Sequence, residues 1–423
     1  VTGDVLLHVL ATLAAVIALG YSLGRVCRRI AQPPVIGQMV AGILLGPSLL
    51  GAISPEAMHL LIPSAAEDPH RQVASGLRVI SQLGVILYMF LVGLDLDAAR
   101  LKSQARSALA ISLTGIAVPF GLGAALALWL HPILSHPGVP FASFTLFLGV
   151  AMAITAFPVL ARILDDFALT RTELGILALG CAAADDVAAW CLLALAVGVA
   201  QAQVGGALLV GAGAGLFILA MLAVARPLLA EAMRRLDARA TTPPYAVPGL
   251  FFLILLASLA TEWIGIHAVF GAFALGAILP HGGRIATEFA AKIHDPVTVL
   301  LLPAFFATTG MRTQLGLLSS WEDWGFAGAI ILVATLGKFG GTFVAARLTG
   351  QTWRDSAALG ALMNARGLMG LIVLDIGLDM GVISERLFAM LVLMALATTF
   401  ATAPMLRLLK LGPSAPGVPV AER

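Results

Sequence analysis

The stretch Cys181-Ala-Ala-Ala-Asp185-Asp186-Val-Ala-Ala-Trp190 decides how this chain is built. It lies inside an apolar run from Leu174 to Val199, long enough to cross a bilayer as a helix, which takes about 20 residues. Both carboxylates sit near the middle of the run, where a short Asp side chain cannot extend to water. Charges at that depth are costly and face a protein interior or a water-filled cavity, so the run belongs to a bundle of membrane helices. Adjacent helical residues point about 100° apart. Asp185 and Asp186 therefore face different neighbours, and one can be paired while the other binds.

Composition agrees with a life in lipid. Hydrophobic residues make up 60% of the 423 and charged residues only 11%, against roughly 25% charged in a soluble domain. A formal net charge of +2 without basic clusters gives no footprint for nucleic acid. Cys27, Cys181 and Cys191 are an odd set, and the last two share one apolar segment too far apart to bridge, so no disulfide framework is implied. The first apolar segment lacks a basic leader and a small-residue cleavage site, and is expected to be retained as a span.

Working outward from Asp185, thirteen apolar segments are expected. The first six are Leu6 to Val26, Val35 to Leu50, Val79 to Leu96, Ser107 to Leu130, Phe141 to Leu164 and Leu174 to Val199. The others are Ala207 to Ala225, Val247 to Trp263, Ala268 to Leu279, Val297 to Met311, Gly325 to Ala346, Ala357 to Leu378 and Leu387 to Leu406. Only Glu262 and His267 mark the turn between the eighth and ninth. Of the 25 Lys and Arg residues, 19 fall after odd-numbered segments, among them Arg28, Arg100, Arg171, Arg234, Arg284, Lys292 and Arg354. Four follow even-numbered segments, and Lys338 and Arg366 lie inside segments. Cytoplasmic loops carry the Lys and Arg excess, so the N-terminus is expected outside and the C-terminus in the cytoplasm, in a membrane read as the bacterial inner membrane.

The second and ninth segments repeat each other without a gap: Val35-Ile36-Gly37 with Gly42 and Leu45 matches Val269-Phe270-Gly271 with Gly276 and Leu279. The third and tenth share a softer pattern ending in Gly93-Leu94 and Gly310-Met311. Each pair is seven segments apart, and an odd offset means opposite entry into the membrane, the inverted repeat of many secondary transporters. The expected fold is thus all-α and integral to the membrane, with two inverted six-helix repeats containing discontinuous crossing helices. Repeat one covers about 6–199, a linker helix 207–225 and repeat two 247–406, within a single unit of 1–411 followed by a short cytoplasmic tail, 412–423.

The remaining intramembrane ionisable residues supply the chemistry. A carboxylate in a partly dry cavity is disfavoured as a bare charge, more so beside a second carboxylate, and it can hold a proton or a hard monovalent cation. Competition between the two for one site suffices for exchange. Lys338, in Leu-Gly-Lys338-Phe-Gly-Gly341, is too central to reach the interface and needs an anion; Asp185 or Asp186 is the candidate, and the less favoured alternative is a pair that serves only to join two helices. Thr155-Ala-Phe-Pro158 and Asn364-Ala-Arg366-Gly367 interrupt the fifth and twelfth segments. Broken helices that cross point dipoles and free carbonyls at an ion, with Arg366 as counter-charge to the opposing helix ends. Glu262 reads as interfacial, Asp375 as a helix-end charge, and Arg162, Asp165, Asp166 and Arg171 as an ordinary solvated loop cluster.

These residues resemble the cation:proton antiporter superfamily, and within it the branch of plant cation/H+ exchangers and bacterial potassium-efflux antiporters. The resemblance rests on Gln32-Pro-Pro-Val-Ile-Gly-Gln-Met-Val-Ala-Gly-Ile-Leu-Leu-Gly-Pro47, Phe90-Leu-Val-Gly-Leu94, Ala153-Ile-Thr-Ala-Phe-Pro-Val-Leu-Ala-Arg162, Gly265-Ile-His-Ala-Val-Phe-Gly271 and Asn364-Ala-Arg-Gly-Leu368. It implies a homodimer in membrane lipid, each protomer with a mobile core domain (79–96, 107–130, 141–199 and 297–406) and a dimerisation and scaffold domain from the rest, moving like an elevator. It also implies that Asp186 is the main ion-binding carboxylate and Asp185 the partner of Lys338. Plant-type members usually carry Asn-Asp where this chain has Asp185-Asp186, and the double acid is similar to that of electrogenic sodium-proton antiporters. The expected activity is exchange of K+ or Na+ for H+, with no enzymatic chemistry, no cofactor, no nucleic acid and no nucleotide-binding cytoplasmic domain. A cation channel or a non-transporting ion or pH sensor on the same scaffold is the competing reading, and a carrier of organic anions is disfavoured by the paired acids.

Overall fold

The computed structural model describes residues 2–411 apart from 31, 62–67, 96–104, 171, 201–203, 240, 266 and 281. The expected tail, 412–423, lies outside the described residues, as do Arg100, Lys102 and Arg171. Among the described residues there are helices and turns and no strand. Backbone groups in lipid must be satisfied within the segment, which a helix does and an open strand does not.

The first half of the chain forms α1 (Thr2–Arg29), α2 (Pro34–Leu45), α3 (Leu50–Ile53), α4 (Pro55–Leu61), α5 (Asp68–Asp95), α6 (Ala105–Leu134), α7 (Phe141–Ala153), α8 (Phe157–Asp166), α9 (Glu173–Ala200) and α10 (Val204–Ala220). The second half forms α11 (Arg226–Asp237), α12 (Ala246–Ile264), α13 (Ala268–Ile278), α14 (Arg284–Asp295), α15 (Leu302–Arg312), α16 (Trp321–Leu348), α17 (Trp353–Met363), α18 (Leu368–Asp379) and α19 (Glu385–Leu408). Among the described residues, ten helices are long and apolar enough to cross a membrane. The fifth, ninth and twelfth expected segments are not among them: the ninth is the short α13, and the other two are broken into α7 and α8, and into α17 and α18.

Several expected boundaries move. The second segment stops as a helix at Leu45 instead of Leu50, because Pro47 restricts the residue before it and lacks an N–H to continue the ladder. The seventh continues past Ala225 through a π-helical turn, Met221–Ala225, into α11. The tenth starts at Arg284, not Val297: α14 buries Ile285, Ala286, Phe289 and Ile293 on one face and carries Arg284, Glu288 and Lys292 on the rest, so Arg284 and Lys292 are helical, not loop residues. Its charges hid it from a search for unbroken apolar runs. Between α12 and α13, Gly265 takes φ 93° and closes α12 through its N–H to the Glu262 carbonyl, a left-handed cap that glycine adopts without penalty.

Two compact units divide the chain. One comprises 1–26, 37–99 and 190–318, and the other 27–36, 100–189 and 319–423. The first thus holds α5 and α15, and α9 contributes to it only from Trp190 onward.

Within the first unit the internal repeat reappears as matched helix contacts. At Gly37 of α2 a Cβ would lie 2.8 Å from the Leu23 carbonyl oxygen of α1, and at Gly271 of α13 it would lie 2.1 Å from that of Ala257 of α12. Leu23 and Gly37, each advanced by 234 residues, are Ala257 and Gly271. Gly42 meets the Ala307 oxygen of α15 at 2.2 Å, and Gly276 meets the Phe90 oxygen of α5 at 2.2 Å. Gly310 meets the Met39 oxygen at 2.4 Å, and Gly93 the Phe273 oxygen at 2.2 Å. Under the same pairing of segments, each contact in one copy is the image of one in the other. Small residues let membrane helices approach backbone to backbone, which is where their packing energy comes from.

A methyl at such a crossing forces two helices apart. Gly276→Ala is expected to lower the thermal midpoint of the purified protein by several degrees, since overpacking costs about 1–3 kcal/mol. Gly215→Ala, on α10 with nothing within 4 Å, is expected to be neutral or slightly stabilising. Equal midpoints for the two variants would refute the close-contact argument.

Candidate functional site

The site lies wholly in the second unit and starts from two interruptions. α7 ends at Ala153, Ile154 adopts an extended backbone, and α8 begins at Phe157. α17 ends at Met363, and α18 begins at Leu368 after four residues outside both helices, Asn364 to Gly367. The two unwound strips pair through the Ala156 N–H, which donates to the Ala365 carbonyl at 3.0 Å. Pro158 is the second residue of α8, where a missing N–H is tolerated; its side chain lies outside the described residues.

A broken helix exposes carbonyls at its C-terminal end, with partial negative charge. Two buried cations meet those of α7. Arg366 Nη1 donates to the carbonyls of Ala151 at 2.8 Å and Ile154 at 3.3 Å, and Nη2 to that of Met152 at 2.7 Å. Lys338 Nζ, from the middle of α16, donates to the Ala153 carbonyl at 2.6 Å. Arg366 is itself fixed by Thr399 of α19, whose hydroxyl accepts from the Arg366 N–H at 2.9 Å and donates to its carbonyl at 2.6 Å.

The paired acids have opposite surroundings. Asp185 is bonded on both oxygens: Oδ1 accepts from Ser112 of α6 at 2.5 Å, and Oδ2 from Thr155 at 2.8 Å and Lys338 Nζ at 2.6 Å. The Thr155 hydroxyl has one proton and also lies 2.8 Å from the Met363 carbonyl, so it donates to Asp185 or to the second broken helix, one at a time. Asp186 is fully buried, and neither of its carboxylate oxygens has a hydrogen-bond partner among the described residues. Asn364 is 1% exposed, and its side-chain oxygen and nitrogen likewise lack partners.

The structure therefore brings Asp185, Lys338, Thr155, Arg366 and the backbone beside Asn364 into one network, and it leaves the choice of Lys338 partner at Asp185. Ser112 escaped the sequence reading because one serine in an apolar helix is commonplace. The Arg162 cluster is corrected from loop to helix: Arg162 and Asp166 form an exposed i,i+4 pair at 3.2 Å on α8. Asp375 is a half-buried residue inside α18, away from its ends. Glu262 accepts from the Ala268 N–H at 2.8 Å and ties the end of α12 to the start of α13.

Membrane-length helices with two broken helices paired beside buried acids are the architecture of a secondary transporter. The fold matches the sodium proton antiporter MjNhaP1 from Methanocaldococcus jannaschii with a TM-score of 0.67 at 14% identity, over 96% of this chain and 99% of that one. Residues 13–408 match the family described as sodium/hydrogen exchanger, transmembrane, and the chain belongs to that family. It is 40% identical to the Na(+)/H(+) antiporter NhaS4 of Synechocystis over 95% of this chain and 97% of that protein. It is 38% identical to cation/H(+) antiporter 19 of Arabidopsis thaliana and 33% to K(+)/H(+) antiporter 1 of Saccharomyces cerevisiae, covering 93% and 89% of this chain. The chain spans about half the length of those two relatives, 48% and 43%. It is an integral membrane protein of a transporter family.

Proposed function

We propose that this chain exchanges a monovalent cation, K+ or Na+, for protons by alternating access, with ion and proton competing for Asp186. One observation carries the reading: Asp186 is a fully buried acid whose oxygens have no hydrogen-bond partner among the described residues, next to an Asp185 held by Ser112 and Lys338. A bare carboxylate in that position is costly, so it is neutralised by a proton or by a cation, and each displaces the other. The four buried charges, two acids with Lys338 and Arg366, then sum to zero only with Asp186 ionised, which favours a cation that is weakly held and exchangeable.

Relatives named as Na+/H+, cation/H+ and K+/H+ antiporters support the coupling and leave either ion as substrate. The Lys338–Asp185 pair at 2.6 Å supports electrogenic exchange, because a lysine that releases its partner can carry an additional proton per cycle. Elevator-like movement of a core domain, a homodimer, and an inner-membrane location with the N-terminus outside and the C-terminus in the cytoplasm complete the reading.

Purified protein in liposomes with an imposed pH gradient tests it. Adding Na+ or K+ is expected to dissipate the gradient, and a potential clamped across the membrane is expected to change the rate. No cation-dependent pH change at any pH from acid to alkaline would sink antiport. Cation flux that follows the potential without proton movement would assign a channel instead.

A further inference from the structure

Thr399 departs from the habit of its neighbours on α19. A Ser or Thr hydroxyl inside a helix commonly returns to a carbonyl one turn earlier, and Thr398 does so, to Met394 at 2.9 Å and Ala395 at 3.2 Å. Thr402 returns to the Thr398 carbonyl at 3.1 Å and also reaches that of Ala361 at 3.2 Å. The Thr399 hydroxyl instead commits both of its roles to one residue of the second helix break. It accepts from the Arg366 N–H at 2.9 Å and donates to the Arg366 carbonyl at 2.6 Å, with both residues buried.

An unwound strip inside a membrane protein leaves backbone groups that must find partners outside their own helix. Thr399 meets that need at the residue whose guanidinium bonds the carbonyls of Ala151, Met152 and Ile154. The first break is tied in a corresponding way to the helix that follows it: Thr155 bonds Asp185 of α9, as Arg366 bonds Thr399 of α19. α9 and α19 are the sixth and thirteenth segments, seven apart like the two breaks. The place that Asp185 takes in one copy is therefore taken in the other by an uncharged hydroxyl.

We propose that Thr399 is a positioning residue for exchange: by clamping the backbone of Arg366 it holds the guanidinium charge beside Asp185 and Lys338, and so sets the pH at which the site gives up protons. This deepens the antiport reading and rests on it wherever transport is the readout. A cation held there favours the ionised acid and opposes a proton on the lysine, so both influences drive protons out of the pair. The other titratable groups around the pair are Asp186 and Cys181, on α9 with Asp185. From α6, the first break, α17 and α19 come uncharged groups, Ser112, Thr155, the Met363 carbonyl and Thr399. Thr399 can thus be changed without altering the formal charge of the site.

Thr399→Val keeps the shape and removes both bonds, whereas Thr399→Ser keeps the hydroxyl. With its acceptor gone, the Arg366 amide is expected to exchange. Deuterium uptake measured by mass spectrometry should show about one more exchanging amide in a peptide covering 364–368 for Thr399→Val than for wild type or Thr399→Ser. In liposomes, Thr399→Val is expected to move the pH of half-maximal exchange toward higher pH by about half a unit, the scale of a unit charge displaced by about 2 Å near the pair. Thr399→Ser is expected to keep the wild-type profile. A slower rate at an unchanged pH profile would make Thr399 structural and overturn the proposal, as would an Arg366 amide equally protected in all three proteins. If Thr399→Val does not fold, Thr399→Ala carries both measurements. Protection of the Arg366 amide that depends on Thr399, in a protein that exchanges no ions, defeats the antiport reading and supports the clamp alone.

Discussion

Asp186→Asn is expected to abolish cation-coupled proton movement and to leave the protein folded, with a thermal midpoint equal to or above that of the wild type. Asn has the shape of Asp and can neither release a proton nor balance a cation. The two buried oxygens of Asp186 have no partner among the described residues, so the substitution breaks no hydrogen bond seen there. What it removes is a charge that is expensive to bury. Function and stability then move in opposite directions, as they do where a site is kept strained for its task. Proton movement in liposomes on adding Na+ or K+, measured beside thermal unfolding of the same preparation, separates the two. Exchange that survives the substitution would take Asp186 out of the ion-binding role, and loss of exchange with a collapsed midpoint would make Asp186 structural.

Much of this architecture could be read from residue patterns because the membrane imposes strong rules. Apolar runs located the helices, and Gly37, Gly42, Gly93, Gly271, Gly276 and Gly310 gave a repeat whose register recurs in the helix contacts. Interruptions at Thr155 and Asn364 announced broken helices because a proline, a charge and small polar residues sat where lipid demands regular ones. The amphipathic α14 was not legible: one of its faces is charged, and hydropathy averages that face against Phe289 and Ile293. Nor could the residue pattern alone, without the resemblance, choose between Asp185 and Asp186 as the neighbour of Lys338. Helical geometry says only that they diverge, and the choice depends on how α6, α7, α9 and α16 pack, through Ser112, Thr155 and the Ala153 carbonyl. Arg366 was legible as a counter-charge, whereas its fork across the carbonyls of Ala151, Met152 and Ile154 requires the crossing to be built first.

Arg366→Ala is expected to cost the most stability of any single change at the site. The guanidinium closes the C-terminal end of α7 with hydrogen bonds to Ala151, Met152 and Ile154, all in a buried setting. Hydrogen bonds to charged groups contribute about 1.5–3 kcal/mol each, and they are not additive. Removal also leaves carbonyls without donors and Asp185 and Asp186 with Lys338 as the one remaining cation in the network. Breaking one partner of a buried charged network typically costs about 3–5 kcal/mol, or a fall in thermal midpoint on the order of 10 °C. Arg366→Lys keeps the charge and loses the planar fork, so it cannot match the spread of the three carbonyls that Arg366 serves, and its loss should fall between wild type and Arg366→Ala. Thermal unfolding of the three proteins measures the order. A midpoint for Arg366→Ala within a degree or two of wild type would mean that the end of α7 is held by Lys338 alone, and that Arg366 acts on the transported ion instead.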